Sequence, residues 1–222
     1  MDYKYIILDF GKVLAGPTTG EWFITPKFKE VIDMSLIDTK EINQVLKKYS
    51  KIISRKMITE EEEYNNFFEY YSLVLKEINY PKYTDKLAQE IAHNFTYESD
   101  KYTFYEGVKE ELEILSKKYK LIMLTDNWPC ITRILEEQDL TKYFDKIYVS
   151  SKYGVIKSEG IFFDYVIKEY DIKSYEALFI DDMVDNLRVG KEKGLDVLQM
   201  DREHEIKYSK YRLIDNLLEI IK

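Results

Sequence analysis

Cysteine occurs once in the 222-residue chain, at Cys130, and histidine only at His93 and His204. One thiol forms neither an intramolecular disulfide nor a multi-cysteine metal site, and two histidines do not build a histidine-rich zinc centre. No apolar run approaches the ~18 residues needed to cross a bilayer. The N-terminus enters an apolar run at once, without the charged-then-apolar layout of a secretion signal, so cytoplasmic residence is the default expectation. Excess positive charge is also missing: 33 Lys and Arg stand against 41 Asp and Glu, a net charge of −8. That argues against nonspecific nucleic-acid binding. It does not exclude an anionic substrate, because a bound metal and a lysine can dominate a small site. With 45% hydrophobic and 33% charged residues, the composition is that of an ordinary globular protein, long enough for one large domain or two small ones.

What is present is a recurring pattern. Ile6-Ile7-Leu8 is a short apolar run that stops at Asp9, with Gly11 two residues on. Such a run, bounded by glycine, reads as a strand buried on both faces of a parallel sheet. Ligands of open α/β sheets sit outside the carboxyl ends of the strands, so Asp9 is the first candidate for chemistry. Leu121-Ile122-Met123-Leu124 then runs into Thr125-Asp126-Asn127, and Ala177-Leu178-Phe179-Ile180 into Asp181-Asp182, with Ile147-Tyr148-Val149 into Ser150 as a weaker fourth case. One Asp at a strand end is ordinarily a helix cap. Three such ends on neighbouring parallel strands would gather a hydroxyl and several carboxylates at one edge.

Between residues 21 and 95 the periodicity becomes helical. Ile42, Val45, Leu46, Tyr49, Ile52 and Ile53 share a face, as do Tyr64, Phe67, Phe68, Tyr71, Val74, Leu75 and Ile78. Thr59-x-x-Glu62 reads as the capping box of the second helix, and Glu60 to Glu63 as its solvated first turn. A third helix is expected over 84–95. The aromatics here read as bundle core, with Trp22, Phe23 and Lys27 near the start of the segment and Trp128 beyond it noted as candidate substrate contacts. From Tyr105 onward strands and helices alternate, which predicts a doubly wound parallel sheet. In that stretch Pro129 is expected at a first helical position, and 206–221 as a closing helix.

Taken in order, these runs resemble the motifs of the haloacid dehalogenase-like hydrolases. The first is Asp9-Phe10-Gly11-Lys12-Val13, the second Leu124-Thr125, the third Lys157 ahead of Ile161-Phe162, and the fourth Phe179-Ile180-Asp181-Asp182 with Asn186 downstream. The resemblance implies an α/β fold, a Rossmann-like doubly wound parallel sheet formed by residues 1–18 and 97–222, with an all-helical cap inserted at 19–96. It also implies roles. Asp9 would be nucleophile and metal ligand, with Asp181, Asp182 and the Gly11 carbonyl completing a Mg²⁺ site. Thr125 and Lys157 would be catalytic and contact the substrate, joined by Asp126 and Asn127, while Asn186 would orient the acidic loop.

Two departures qualify the match. Gly11 stands where the family usually carries a second Asp, the residue that protonates the leaving group. Ser158-Glu159-Gly160 follows Lys157 where Pro-Asp-Pro is common. General acid–base catalysis is typically worth ~10²–10⁴-fold. The glycine therefore leaves three routes open: slow turnover, a substitute acid such as Asp126 or a water, or a leaving group that needs little protonation. The leading expectation is a Mg²⁺-dependent phosphatase acting on a small phosphorylated metabolite such as a sugar phosphate, with neither nucleic acid nor membrane as partner. A phosphomutase, a haloacid dehalogenase and a catalytically weak relative that binds a phosphorylated ligand are the alternatives.

Overall fold

The structure, a computed structural model, describes residues 3–221. It divides into two compact units. The α/β unit holds the described residues up to Gly16, Phe104–Asn127, and those from Ile131 onward; the helical unit holds Pro17–Thr103 and Trp128–Cys130. The division thus runs at Gly16 and Phe104 instead of at 18 and 97, and a three-residue piece after the second motif joins the helical unit.

Eight strands occur among the described residues: β1 Tyr5–Leu8, β2 Ala15–Pro17, β3 Tyr102–Phe104, β4 Lys120–Thr125, β5 Phe144–Val149, β6 Ala177–Asp181, β7 Asp196–Met200 and β8 Leu213–Ile214. Six make one parallel sheet in the order β5-β4-β1-β6-β7-β8, and β2 pairs with β3. The register sets Leu8 beside Met123 on one side and Ile180 on the other, so the residues following β1, β4 and β6 emerge together. Every residue of β1 and β6 is buried, as continuous apolar runs in a two-sided parallel sheet require.

The helices are α1 Pro26–Val31, α2 Thr39–Lys48, α3 Ser50–Ile53, α4 Glu60–Glu77, α5 Asp85–Tyr97, α6 Val108–Ser116, α7 Ile131–Glu137, α8 Ser150–Tyr153, α9 Ile161–Tyr170 and α10 Val184–Glu192. In the α/β unit, Ile7, Ile122, Leu124 and Phe179 pack with Phe162, Phe163 and Val166 of α9 and with Leu187 and Val189 of α10. Gly190 lets α10 approach closely: a Cβ there would stand 2.8 Å from the Phe179 ring. The opposite-pointing Ile6, Leu8, Leu121 and Met123 are equally buried, and α6 packs on β4.

The helical unit has its own core, in which Phe67, Tyr70, Tyr71 and Phe95 are buried and Phe67 stacks on Phe95 with ring centroids 3.9 Å apart. The capping box of α4 forms as read: Thr59 accepts from Glu62 N–H, and the Glu62 carboxylate accepts from Thr59 N–H at 3.1 Å. Trp128 and Phe23 pack into this core, and the Trp128 indole donates to the Ile53 carbonyl at 2.8 Å. Lys27 is paired with Glu30 and Glu90.

Four expectations are corrected. Residues 206–221 do not form a helix: β8 pairs with β7 and a short 3-10 turn covers Leu217–Ile221, because edge pairing satisfies this backbone while Asp201 caps the N–H groups of Glu205 and Ile206. Pro129 precedes α7 by two residues and is not its first residue. Residues 11–20, whose Gly, Pro and Thr content predicts a loop, contain β2. Glu63 is not solvated: it is fully buried, accepting from Cys130 N–H at 2.8 Å with Lys101 Nζ 3.9 Å away.

Phe67→Ala removes a ring stacked in a fully buried site, and a loss of about 3–5 kcal/mol in urea-induced unfolding of the helical unit is the expected result.

Candidate active site

Each of the first, second and fourth motifs places its polar residue where a strand stops. Asp9 follows β1 and its N–H bonds the Ile180 carbonyl at 3.0 Å, tying the first loop to the fourth. Thr125 ends β4 and is buried; Asp181 ends β6 and has no exposed surface. The third motif comes from a 3-10 turn, Lys157–Glu159, closed by Gly160 in the left-handed region at φ 81°. Glycine occupies that conformation without the penalty a Cβ would bring.

These four pieces converge on one ammonium. Lys157 Nζ stands 2.7 Å from Asp9 Oδ1 and 2.6 Å from Asp181 Oδ2, with its side chain 1% exposed. A buried lysine is expensive unless paired, so this one is a fixed part of the site and not one of the many solvated lysines. Its backbone N–H bonds the Asp126 carboxylate at 3.1 and 3.3 Å, so the second motif also holds the turn that delivers Lys157. Asp181 is saturated further: Oδ1 accepts from Met183 N–H at 2.7 Å, and Asn186 Nδ2 lies 3.2 and 3.1 Å from its two oxygens. Asn186 thus bonds the first carboxylate of the acidic pair. Asn127 is buried, and its N–H donates at 3.1 Å to Ser150 Oγ, the residue that ends the weaker fourth apolar run.

The electrostatics follow from this crowding. Burial pushes the Asp9 carboxyl up to about 8; Lys157 opposes the rise, while Asp181 and Asp182 add to it. Burial and then Asp181 raise Asp182 to about 6. Burial works against the Lys157 charge, but Asp181, Asp9 and Asp126 outweigh it and hold the ammonium above its ordinary range. Partial desolvation raises the Asp126 carboxyl although solvent still reaches its side chain, with Lys157 pulling the other way.

One lysine does not neutralise this many carboxylates. Asp9, Asp181 and Asp182 each offer an oxygen, all within 4.8 Å of one another. Such a set of hard oxygen donors fits a divalent cation of the Mg²⁺ or Ca²⁺ type. Lys157 occupies Asp9 Oδ1 and leaves Oδ2 available. Because Asp181 is already bonded on both oxygens, Asp182 is the more open of the pair. The arrangement can hold a cation, neutralise an incoming anion with Lys157, and present a carboxylate oxygen to it.

Residues 6–200 match the family model described as haloacid dehalogenase-like hydrolase. A D-ribitol-5-phosphate phosphatase of Bacteroides thetaiotaomicron is 33% identical over 92 residues, which is 38% of this chain and 45% of that protein. The chain spans less than half the length of the curated relatives it matches. The fold is shared with YfnB of Bacillus subtilis, solved with bound magnesium, at 17% identity and TM-score 0.70 over 99% of this chain and 97% of that one. It is shared also with a haloacid dehalogenase-family enzyme of Bacteroides thetaiotaomicron in complex with magnesium and inorganic phosphate, at 19% identity and TM-score 0.66 over 92% and 98%. With four motifs in order, a parallel sheet that brings them to one edge and a family match over most of its length, the chain belongs to the haloacid dehalogenase-like hydrolases.

Proposed function

We propose that the protein is a Mg²⁺-dependent phosphatase of small phosphorylated metabolites, with polyol and sugar phosphates as the first class to test. The observation that carries this reading is the buried Lys157 ammonium bridging Asp9 and Asp181, with a third carboxylate beside them. Phosphoryl transfer is mostly positioning and charge neutralisation, which is what this arrangement supplies. The phosphatase relative adds support for the substrate class.

In this reading the free oxygen of Asp9 attacks phosphorus and the bond to the leaving oxygen breaks, giving an aspartyl-phosphate and an alcohol. Water then attacks the phosphorus, releasing inorganic phosphate and restoring Asp9. Lys157 favours the ionised form of Asp9 against the effect of its burial and neutralises phosphoryl charge, and Thr125 donates its hydroxyl to a phosphoryl oxygen. Asp9, Asp182 and the Gly11 carbonyl would hold the cation, with Asp181 beside them; bound there, it offsets the negative charge shared by nucleophile and substrate. Gly11 offers no acid. Asp126, with both oxygens turned to the Lys157 N–H, is a poor substitute in this arrangement, so the leaving group takes its proton from water. Anomeric and aryl phosphates, whose leaving oxygens are less basic than those of polyol phosphates, are favoured within the class accordingly. A haloacid dehalogenase is the weaker reading, because three clustered carboxylates repel an organic acid anion unless a cation is held.

Phosphate release from a panel of polyol, sugar and aryl phosphates is expected with Mg²⁺ and not with a chelator, and Asp9→Asn is expected to lower it by about 10³-fold or more. Turnover by chelated enzyme, or by Asp9→Asn, would overturn the reading. Lys157→Met is expected to lower kcat by about 10²–10³-fold, the usual loss for one buried charge-stabilising donor. The cation must also displace protons: below about 6 for Asp182 and about 8 for Asp9, the carboxyls are protonated and do not ligate. Apparent Mg²⁺ affinity is therefore expected to rise with pH through that window, with proton release on binding. Calorimetry in two buffers of different ionisation enthalpy reads that release, and a pH-independent affinity would contradict it.

A further inference from the structure

The end of β7 and the turn after it lie outside all four motifs, yet they reach both loops that carry the carboxylates. Gln199 is buried, and its side-chain amide donates to the main-chain carbonyl of Asp182 at 2.7 Å. The other end of that amide is held as well: its oxygen accepts the Ser209 hydroxyl, and Ser209 Oγ accepts the Tyr211 N–H at 2.9 Å. Three residues on, Arg202 Nε donates to the carbonyl of Val13 at 3.1 Å. Its guanidinium is forked onto Glu111 at 3.0 and 2.5 Å, with both side chains under a tenth exposed. Val13 belongs to the tight turn after Asp9, in which the N–H groups of Val13, Leu14 and Ala15 all bond the Phe10 carbonyl and that of Lys12 bonds the Ala15 carbonyl. Moving Val13 therefore moves Gly11.

Buried glutamine and arginine are costly, and an apolar replacement of a buried ion pair is often neutral or stabilising. Polar groups at these two places are accounted for by what they grip, one carbonyl in each acidic loop. The grip has a task, since like-charged carboxylates push their loops apart whenever no cation is bound. We propose that Gln199 and Arg202 are positioning residues that together fix the spacing between the first and fourth loops, so that the end of β7 presets the cation site. The inference rests on the cation reading of the preceding section. It differs from that reading in placing part of the metal affinity in a segment outside the four motifs.

The test is calorimetric titration of MgCl₂ into metal-free full-length protein. Gln199→Met keeps length and loses the donor; Arg202→Lys keeps charge and loses the fork. The surface change Arg188→Gln on α10 sets the baseline. Residues around a metal's ligands typically contribute 10–100-fold to its affinity, so Kd is expected to rise about 10–100-fold in both variants and to stay unchanged in Arg188→Gln. Far-UV circular dichroism in chelator confirms that each variant is folded, separating lost preorganisation from lost structure. Should either variant fail to fold, Ser209→Ala, which leaves the donor and releases its anchor, is expected to weaken Mg²⁺ binding in the same direction. Folded variants that bind within twofold of wild type overturn the positioning role alone. A wild-type protein that takes up no Mg²⁺ overturns the cation reading, and this inference with it.

Discussion

Burying one ammonium among several carboxylates is the constraint from which the site is built. Lys157 is almost free of solvent and lies within 2.7 Å of two carboxylate oxygens. Desolvating that many charges is costly, and geometry has to repay it. Every nearby element contributes: β1 and β6 set Asp9 and Asp181 side by side, Asn186 and Met183 N–H saturate Asp181, and Asp126 holds the turn that carries Lys157. The balance stays incomplete, since burial still drives the Asp9 carboxyl far above its normal range. That residual frustration is useful. A site short of positive charge is one in which a cation would be favourable.

The motif positions were legible because they sit at breaks in an apolar pattern. Ile6-Ile7-Leu8 and Leu178-Phe179-Ile180 are buried on both faces, so the residue that ends each run has to face the sheet edge. Parallel order and the shared edge followed from the alternation of strands with helices. The burial of Lys157 was not legible, because nothing in its neighbours Ile156 and Ser158 distinguishes it from a surface lysine; only the fold shows what it faces.

Where the reading failed, tertiary contacts outweighed local pattern. Glu63 closes an acidic run that looks solvated, yet it is buried against Cys130 N–H and near Lys101, partners 67 and 38 positions away along the chain. The apolar spacing over 206–221 suits a helix, but the free edge of β7 recruits Leu213 and Ile214 as a strand instead. The same C-terminal stretch supplies Ser209, which steadies Gln199. The segment that was misread is thus one that reaches toward the fourth motif.

Trp128–Cys130 packs with the helical unit, although Asn127 before it and Ile131 after it belong to the α/β unit. The chain therefore passes between the units four times, where a simple insertion would pass twice. Trp128 fills a place among Phe23, Phe67 and Phe95, and Cys130 meets Glu63 and Lys101, all supplied by the inserted segment. In modular terms the helical unit is not a cassette. Exchanging 17–103 for the same region of a relative would bring in new sockets while leaving the old plugs, Trp128 and Cys130, behind.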